Sequence, residues 1–360
     1  MGAFDYPDWE TFMKTSFAAR REFPLIAPET PSFMSQPIAR TAADLEGADV
    51  VVIGAPYVAA EDGKYAGVPM EDWIAAPKRV RQQSARYPSG YIQDFDMDLF
   101  EHIKMVDYGD ADIPPEVMHN QTPELILKAQ AAVEAKCNDA IKAGAVPVVI
   151  GQNSPCGSFA IAKACSENVD GMVGCVSLDT HWDAHPLDHL TGDPRIAGAS
   201  SWKHKMYEFL ENMHPRHLVE IGERGMLEDK DIIRRYLKDG ARFISSWELR
   251  TSLGIEGCVK ELDRAWDGTE GIYAHFDMDV MGGAGPAPGD ILGELVEPIA
   301  MTDYECIRIA HEIGRRGLTG FSFICIPPGS AAVYRVIVSI IVYMAAGLAL
   351  RKMGKGHDAG

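Results

Sequence analysis

Along this chain, short continuous apolar runs alternate with longer mixed segments. The runs at 49–54, 105–110, 146–150, 172–178, 217–222, 243–245, 272–277 and 320–326 have strand length and are rich in β-branched residues, as strands buried on both faces are. The segments between them predict helices: one beginning near Pro77 with Val80 on its inner face, then 123–143, 159–166, 202–213, 229–237, 257–266, 302–315 and 331–352. Thr122 and Thr302 stand where N-cap hydroxyls belong, and Gly144 where a helix stops. This alternation predicts an α/β fold: a single three-layer α/β/α domain, residues 48–353, around a central, mostly parallel sheet with right-handed crossovers. Residues 1–47, punctuated by Pro24, Pro28 and Pro31, predict an arm that either lies at subunit contacts or is only partly ordered, and 354–360 a disordered tail. The longest apolar run, 336–350, is shorter than the roughly 20 residues of a membrane span. It is expected to be a core helix, with a subunit-interface helix as the other option.

Composition narrows the partners. At 360 residues and 46% hydrophobic, the chain can bury one large core. A net charge of -18 disfavours nucleic acid and anionic membranes, which need a basic face, and suits a cytoplasmic protein with a small cationic substrate. Seven cysteines, at 137, 156, 165, 175, 258, 306 and 325, are odd in number and scattered, with no C-x-x-C pair, which fits reduced thiols in a cytoplasm. Residues 1–21 lack the apolar stretch of a secretory signal.

Two motifs carry chemistry. Asp179-Thr180-His181-Trp182-Asp183 follows the apolar run 173–178, and Asp277-Met278-Asp279 follows 271–276. Alternate residues of an extended segment point the same way, so Asp179, His181 and Asp183 can face one point, and so can Asp277 and Asp279. Ligands of open α/β sheets sit beyond the carboxyl ends of the strands, where both motifs and the segment from Gly151 fall. Carboxylates with an imidazole suit Mn²⁺, Ni²⁺, Fe²⁺ or Zn²⁺. Carboxylates that bridge two ions are how hydrolases hold a nucleophilic hydroxide. One such triplet alone reads as solvated loop acids. Two of them, about a hundred residues apart and each after a buried strand, point to a site.

Taken in order, the motifs resemble the ureohydrolases, the family of arginase and agmatinase. Gly54-Ala55-Pro56-Tyr57 is similar to the family's G-x-P-[FY], and Pro77-Lys78-Arg79-Val80-Arg81 to its P-x-x-I-R. Val106-Asp107-Tyr108-Gly109-Asp110 is similar to the agmatinase branch. Asp179 to Asp183 matches D-A-H-x-D, Glu220-Ile221-Gly222-Glu223-Arg224-Gly225 is similar to Q-I-G-x-R-x, Asp277 to Asp279 matches D-x-D, and Ala287-Pro288-Gly289 matches A-P-G. The resemblance covers roughly residues 45 to 352. It implies an arginase-like fold holding two metal ions, Mn²⁺ in most members and Ni²⁺ in some guanidine-type hydrolases. The ions share a hydroxide that attacks a guanidinium carbon and releases urea. It also implies six protein ligands: a His from G-G-D-H-S, three residues from D-x-H-x-D and two from D-x-D. Five have counterparts here, Asp179, His181, Asp183, Asp277 and Asp279, and Asp183 and Asp277 are the residues an active site would depend on.

Four departures surround the same pocket. G-G-D-H-S is here Gly151-Gln152-Asn153-Ser154-Pro155, so the ligand His is replaced by Ser154, or by Asn153 if the alignment slips by one. The family's proton-shuttling His falls near Ala197, the guanidinium-gripping Glu of the last strand at Cys325, and the D-P after D-x-D at Gly282-Gly283. The ion that needs the missing His, with Asp179, Asp183 and Asp277, is expected to be lost. The ion on Asp179, His181, Asp277 and Asp279 keeps all its ligands. The expectation is therefore zero or one Ni²⁺ or Mn²⁺ in this chain and two in an intact partner. His185 is either a substitute ligand or a loop histidine.

Three readings follow. The chain is a degenerate subunit of a hetero-oligomer of the trimer or hexamer type, supporting an active paralogous subunit, as in biguanide hydrolases of the metformin type. Alternatively, it is a self-sufficient agmatinase-family hydrolase with a rebuilt or mononuclear site. The third reading is a binding protein that holds a metal for stability.

Overall fold

The computed structural model describes residues 23–65, 67–224, 229–281, 299–329 and 331–354. The first part of the expected arm, Gly225, Gly282-Gly283, Ala287-Pro288-Gly289 and the tail from 355 lie outside the described residues.

Eight strands form one sheet: β1 (Val50–Gly54), β2 (Met105–Asp110), β3 (Val146–Ile150), β4 (Val173–Leu178), β5 (Met213–Ile221), β6 (Arg242–Ile244), β7 (Gly271–Asp277) and β8 (Gly320–Ile324). Their order is β6-β5-β4-β7-β8-β3-β1-β2, and every neighbouring pair is parallel. β1, β3, β4, β7 and β8 are buried along their whole length. Among the described residues, eight helices of eight residues or more connect or flank the strands: α1 (Ala76–Ser84), α2 (Pro123–Lys142), α3 (Phe159–Asn168), α4 (Trp202–Phe209), α5 (Lys230–Lys238), α6 (Gly254–Glu261), α7 (Asp303–Arg316) and α8 (Ala331–Lys352). The strand period places Val50 and Val52 in the apolar layer with α1, α7 and α8, and Val51 and Ile53 in the layer with α2 and α3. Helix starts follow the caps read from the sequence. Thr122 accepts from the Leu125 amide, and Thr302 forms a reciprocal capping box with Glu305.

Several boundaries move for physical reasons. α4 ends at Phe209, short of the expected 213, because Met213 already opens β5 and the Asn212 side chain donates to the Ser166, Val169 and Gly171 carbonyls in the turn between them. The expected helix 257–266 is two pieces, α6 and a short helix Asp263–Trp266. β8 stops at Ile324 because Cys325 turns into the left-handed region, φ 49°. In the segment expected as an arm, Phe33, Met34 and Leu45 are fully buried, so its second half packs on the domain.

α8 is long and apolar enough to cross a membrane by composition alone, but 72% of its most apolar stretch is buried within the protein, as in a core helix. It packs on α7 with almost no gap. A Cβ on Gly314 would lie 2.0 Å from the Met344 carbonyl oxygen, and one on Gly347 2.2 Å from that of His311. Alanine is the better helix former by about 1 kcal/mol, yet a clash with backbone cannot be relieved by a rotamer change. Gly347→Ala is therefore expected to destabilise the chain by on the order of 1–3 kcal/mol, read as a lower midpoint of urea unfolding.

Candidate metal centre

The sheet order itself gathers the site. β4 and β7 are neighbours with Leu178 opposite Phe276, so Asp179 and Asp277 leave the sheet side by side. β7 pairs with β8, Asp277 opposite Ile324, which brings Cys325 to the same edge. The result is three overlapping sets of potential ligands, each with its atoms within 4.8 Å of one another: Asp179, His181 and Asp279; Asp179, His275 and Asp277; and Asp277, Asp279 and Cys325. Asp179, Asp277 and Asp279 are buried, with 0%, 2% and 5% exposure.

Backbone amides hold the acids in place. The His181 amide donates to Asp179 Oδ1 at 2.6 Å, the Thr180 amide to Asp279 Oδ1 at 3.2 Å, and the Asp279 amide to Asp277 Oδ1 at 2.9 Å. His181 Nδ1 stands 3.1 Å from Asp279 Oδ2. Burial opposes a charge on this imidazole, but Asp279, Asp179 and Asp183 hold its pKa up to about 10. Burial, then Asp279, Asp179 and Asp183, push Asp277 well above the usual carboxylate range.

Beneath the acids runs a polar rung that the strand pattern did not reveal. Glu220, Ser177, His275 and Ser322 lie in register across β5, β4, β7 and β8. Ser177 and His275 stand two residues before the motif acids Asp179 and Asp277, and that spacing was the available signal. Lys203, fully buried on α4, donates from Nζ to Asp179 Oδ2 at 2.9 Å, to Glu220 Oε1 at 3.0 Å and to the His181 carbonyl at 3.1 Å. Burial opposes its charge, but Asp179 and Glu220 hold its pKa well above the ordinary range. His275 Nδ1 shares hydrogen bonds with Ser322 and Tyr273, and burial, then Lys203, keeps the ring neutral.

A profile of the arginase family matches residues 48–338. The chain belongs to the arginase family. Three solved structures with the same fold are proclavaminate amidino hydrolase from Streptomyces clavuligerus, formimidoylglutamase from Bacillus subtilis and formiminoglutamase from Trypanosoma cruzi. The first is 23% identical, covering 89% of this chain and 97% of that one, with a TM-score of 0.70. The second is 17% identical over 95% and 99%, with a TM-score of 0.70. The third, whose structure carries Mn²⁺, is 19% identical over 89% and 99%, with a TM-score of 0.67. No curated protein matches the chain in sequence.

Several of the arginase-family motifs are scaffolding. Arg224 donates to the Asp279 and Val280 carbonyls, and a Cβ on Gly222 would meet Val280 at 2.3 Å, so the segment after β5 braces the D-x-D turn. Arg81 of the P-x-x-I-R-like segment grips Asp107 with two nitrogens and Asp110 with a third, far along the sheet order from the acids.

Of the positions expected to be degenerate, Asn153, Ser154 and Ala197 are closed off by hydrogen bonds and burial, while Cys325 stands with the acids. Ser154 and Ala197 touch: the Ser154 hydroxyl donates to the Ala197 carbonyl at 2.6 Å and accepts from Ser158 at 2.7 Å. Asn153 Oδ1 accepts from the Ala59 amide at 3.3 Å. All three side chains are fully buried. Asp183, in the left-handed region at φ 48°, accepts from Trp202 Nε1 at 3.0 Å and is outside the three ligand sets. His185 stacks against His189 at 4.8 Å and is outside them too.

Two further contributors went unread in the sequence. Gln152 clamps the turn after β8, donating to the Trp73 and Ile326 carbonyls while its Oε1 accepts from the Ile326 amide at 2.8 Å. Tyr65 faces the acids. Burial, then Cys325, Asp277, Asp183 and Asp279, push its hydroxyl well above the ordinary range.

The family's pair of ions does not fit these residues. Asp179, the carboxylate that would bridge the ions, accepts from the His181 amide on one oxygen and from the Lys203 ammonium on the other. Like charges 4 Å apart repel by on the order of 4 kcal/mol per unit charge near a protein surface, so a fixed ammonium on Asp179 opposes a divalent neighbour. A single ion does fit: each of the three sets gathers three donors, and His181 Nε2 is buried without a hydrogen-bond partner.

Proposed function

We propose that this chain is the non-catalytic member of a hetero-oligomeric guanidino or biguanide hydrolase, assembling with a paralogous arginase-family subunit that carries the paired ions. Lys203 on Asp179 carries the reading: an ammonium stands where a second divalent charge would have to be tolerated. The Ser154–Ala197 contact supports it, because it fills with a closed hydrogen bond the place where the family resemblance asks for two imidazoles. A bound ion would lower the pKa of water and supply hydroxide. On that chemistry this chain has Asp277, Asp279 and His181 to hold an ion, but Ala197 where a proton carrier belongs and Cys325 where a guanidinium would be gripped. A cationic substrate, Ni²⁺ or Mn²⁺ in the partner and a closed ring of mixed subunits complete the proposal.

The chain purified alone, supplied with Mn²⁺ or Ni²⁺, is expected to release no urea from guanidine, agmatine or metformin. Co-expression with an intact ureohydrolase-like paralogue from the same source is expected to give an active complex containing both chains. Ordinary turnover by the chain alone would sink the proposal. A second reading, a self-sufficient hydrolase on one ion, is favoured by the retained Asp277, Asp279 and His181 cluster. In that case Asp277→Asn abolishes turnover by the chain alone.

A further inference from the structure

We infer that Asp277, Asp279 and Cys325 are the three protein ligands of a single thiophilic divalent cation of the Zn²⁺, Co²⁺ or Ni²⁺ class, a donor set that adds a sulfur to two carboxylates of the family's sulfur-free pair. The inference deepens the reading of a chain that has given up paired-ion chemistry, and rests on it.

The two carboxylates and the Cys325 sulfur lie mutually within 4.8 Å, and all three residues are buried. Asp279 Oδ2 is buried and faces His181 Nδ1 at 3.1 Å. The Cys325 sulfur stands within 4.8 Å of a carboxylate oxygen of both Asp277 and Asp279. The other two ligand sets both depend on Asp179, which Lys203 already holds. This one does not, and so avoids sharing a carboxylate with a fixed positive charge. The sulfur is held by backbone: the Cys325 amide donates to the Gln152 carbonyl at 2.9 Å, and Gln152 clamps the next residue.

Two carboxylates and a thiolate bring three negative charges to an ion of charge two, and the thiol proton leaves to solvent on binding. Soft sulfur shifts preference from Mn²⁺ towards Zn²⁺, Co²⁺ and Ni²⁺. Three protein ligands leave a position for water, as in zinc sites that stay open.

Cobalt tests the assignment. The reduced full-length chain titrated with Co²⁺ is expected to bind one equivalent and develop a near-ultraviolet sulfur-to-cobalt charge-transfer band, which Zn²⁺ then displaces. The band should vanish in Cys325→Ser and in Asp279→Asn and persist in Cys306→Ser, a buried cysteine on α7 outside the three ligand sets. Zn²⁺ should raise the Tm of the parent but not of Cys325→Ser. Circular dichroism of each variant confirms that it folds, and Cys325→Ala serves if the serine variant does not. Absence of bound Co²⁺, or a spectrum that Cys325→Ser leaves unchanged, overturns the assignment. That failure leaves the subunit reading standing, whereas hydrolysis by the chain alone overturns the subunit reading and leaves the ligand assignment to the spectrum.

Discussion

Replacing Lys203 with methionine is expected to destabilise the chain by roughly 3 to 5 kcal/mol, the usual cost of stranding buried charge by removing one partner. The ammonium, Asp179 and Glu220 all have fully buried side chains, and Lys203 donates to both carboxylates at 2.9 and 3.0 Å. Methionine fills the same volume, so packing changes little and the loss is electrostatic. With an unfolding entropy of about 2.1 cal/mol/K per residue, the Tm should fall by roughly 4 to 7 °C. Adding Glu220→Gln to Lys203→Met removes one stranded carboxylate. The double variant should therefore lose less than the sum of the two single losses, by about 1 kcal/mol or more. Additive losses in urea unfolding would show that the three groups do not act as a unit. Mn²⁺ gives a second readout. It should stabilise Lys203→Met more than the parent, because Asp179 Oδ2 is then released for an ion.

Arg81→Met is the other large effect. Arg81 and Asp107 both have fully buried side chains and are joined by two hydrogen bonds, at 2.8 and 3.0 Å. Asp107 Oδ2 also accepts from the Phe33 amide at 2.8 Å, so the pair ties residues near 33 to edge strand β2. Gly54 leaves room for the third contact, since a Cβ there would lie 1.8 Å from Asp110 Oδ1. Removing the guanidinium strands Asp107 and should again cost roughly 3 to 5 kcal/mol. Asp110, whose side chain is 45% exposed, adds little to that loss. Amide hydrogen exchange should show Phe33 and β2 losing protection before the centre of the sheet. Lys78→Ala, which removes an exposed pair with Glu29, is the control and should cost under about 1 kcal/mol. Equal losses in the two variants would mean that burial of the Arg81 pair does not matter.

These two residues mark the division between what the chain announces and what it conceals. Arg81 was visible as part of a motif, but its work was not: the spacing did not show that it binds Asp107 and Asp110 of another motif rather than a ligand. Lys203 was invisible. It sits on an amphipathic helix where lysines normally face water, and nothing local says that its side chain passes beneath two strand ends.

The sequence by itself determined the α/β class, the strands, most helix starts and the two acidic motifs at strand ends. Continuous apolar runs, capping residues and the period of a strand are local properties. It also marked Asn153, Ser154, Ala197 and Cys325 as departures from the resemblance. Only the tertiary structure decided which acids meet. Asp183 follows the same alternation as Asp179 and His181, but at φ 48° its backbone leaves the extended path and its carboxylate turns to Trp202. Cys325 joins Asp277 and Asp279 because β8 lies beside β7, a neighbour relation between strands far apart in the chain. Sheet order and register are set by how all the layers pack at once, and the charge balance of a buried site depends on groups brought together only by that packing.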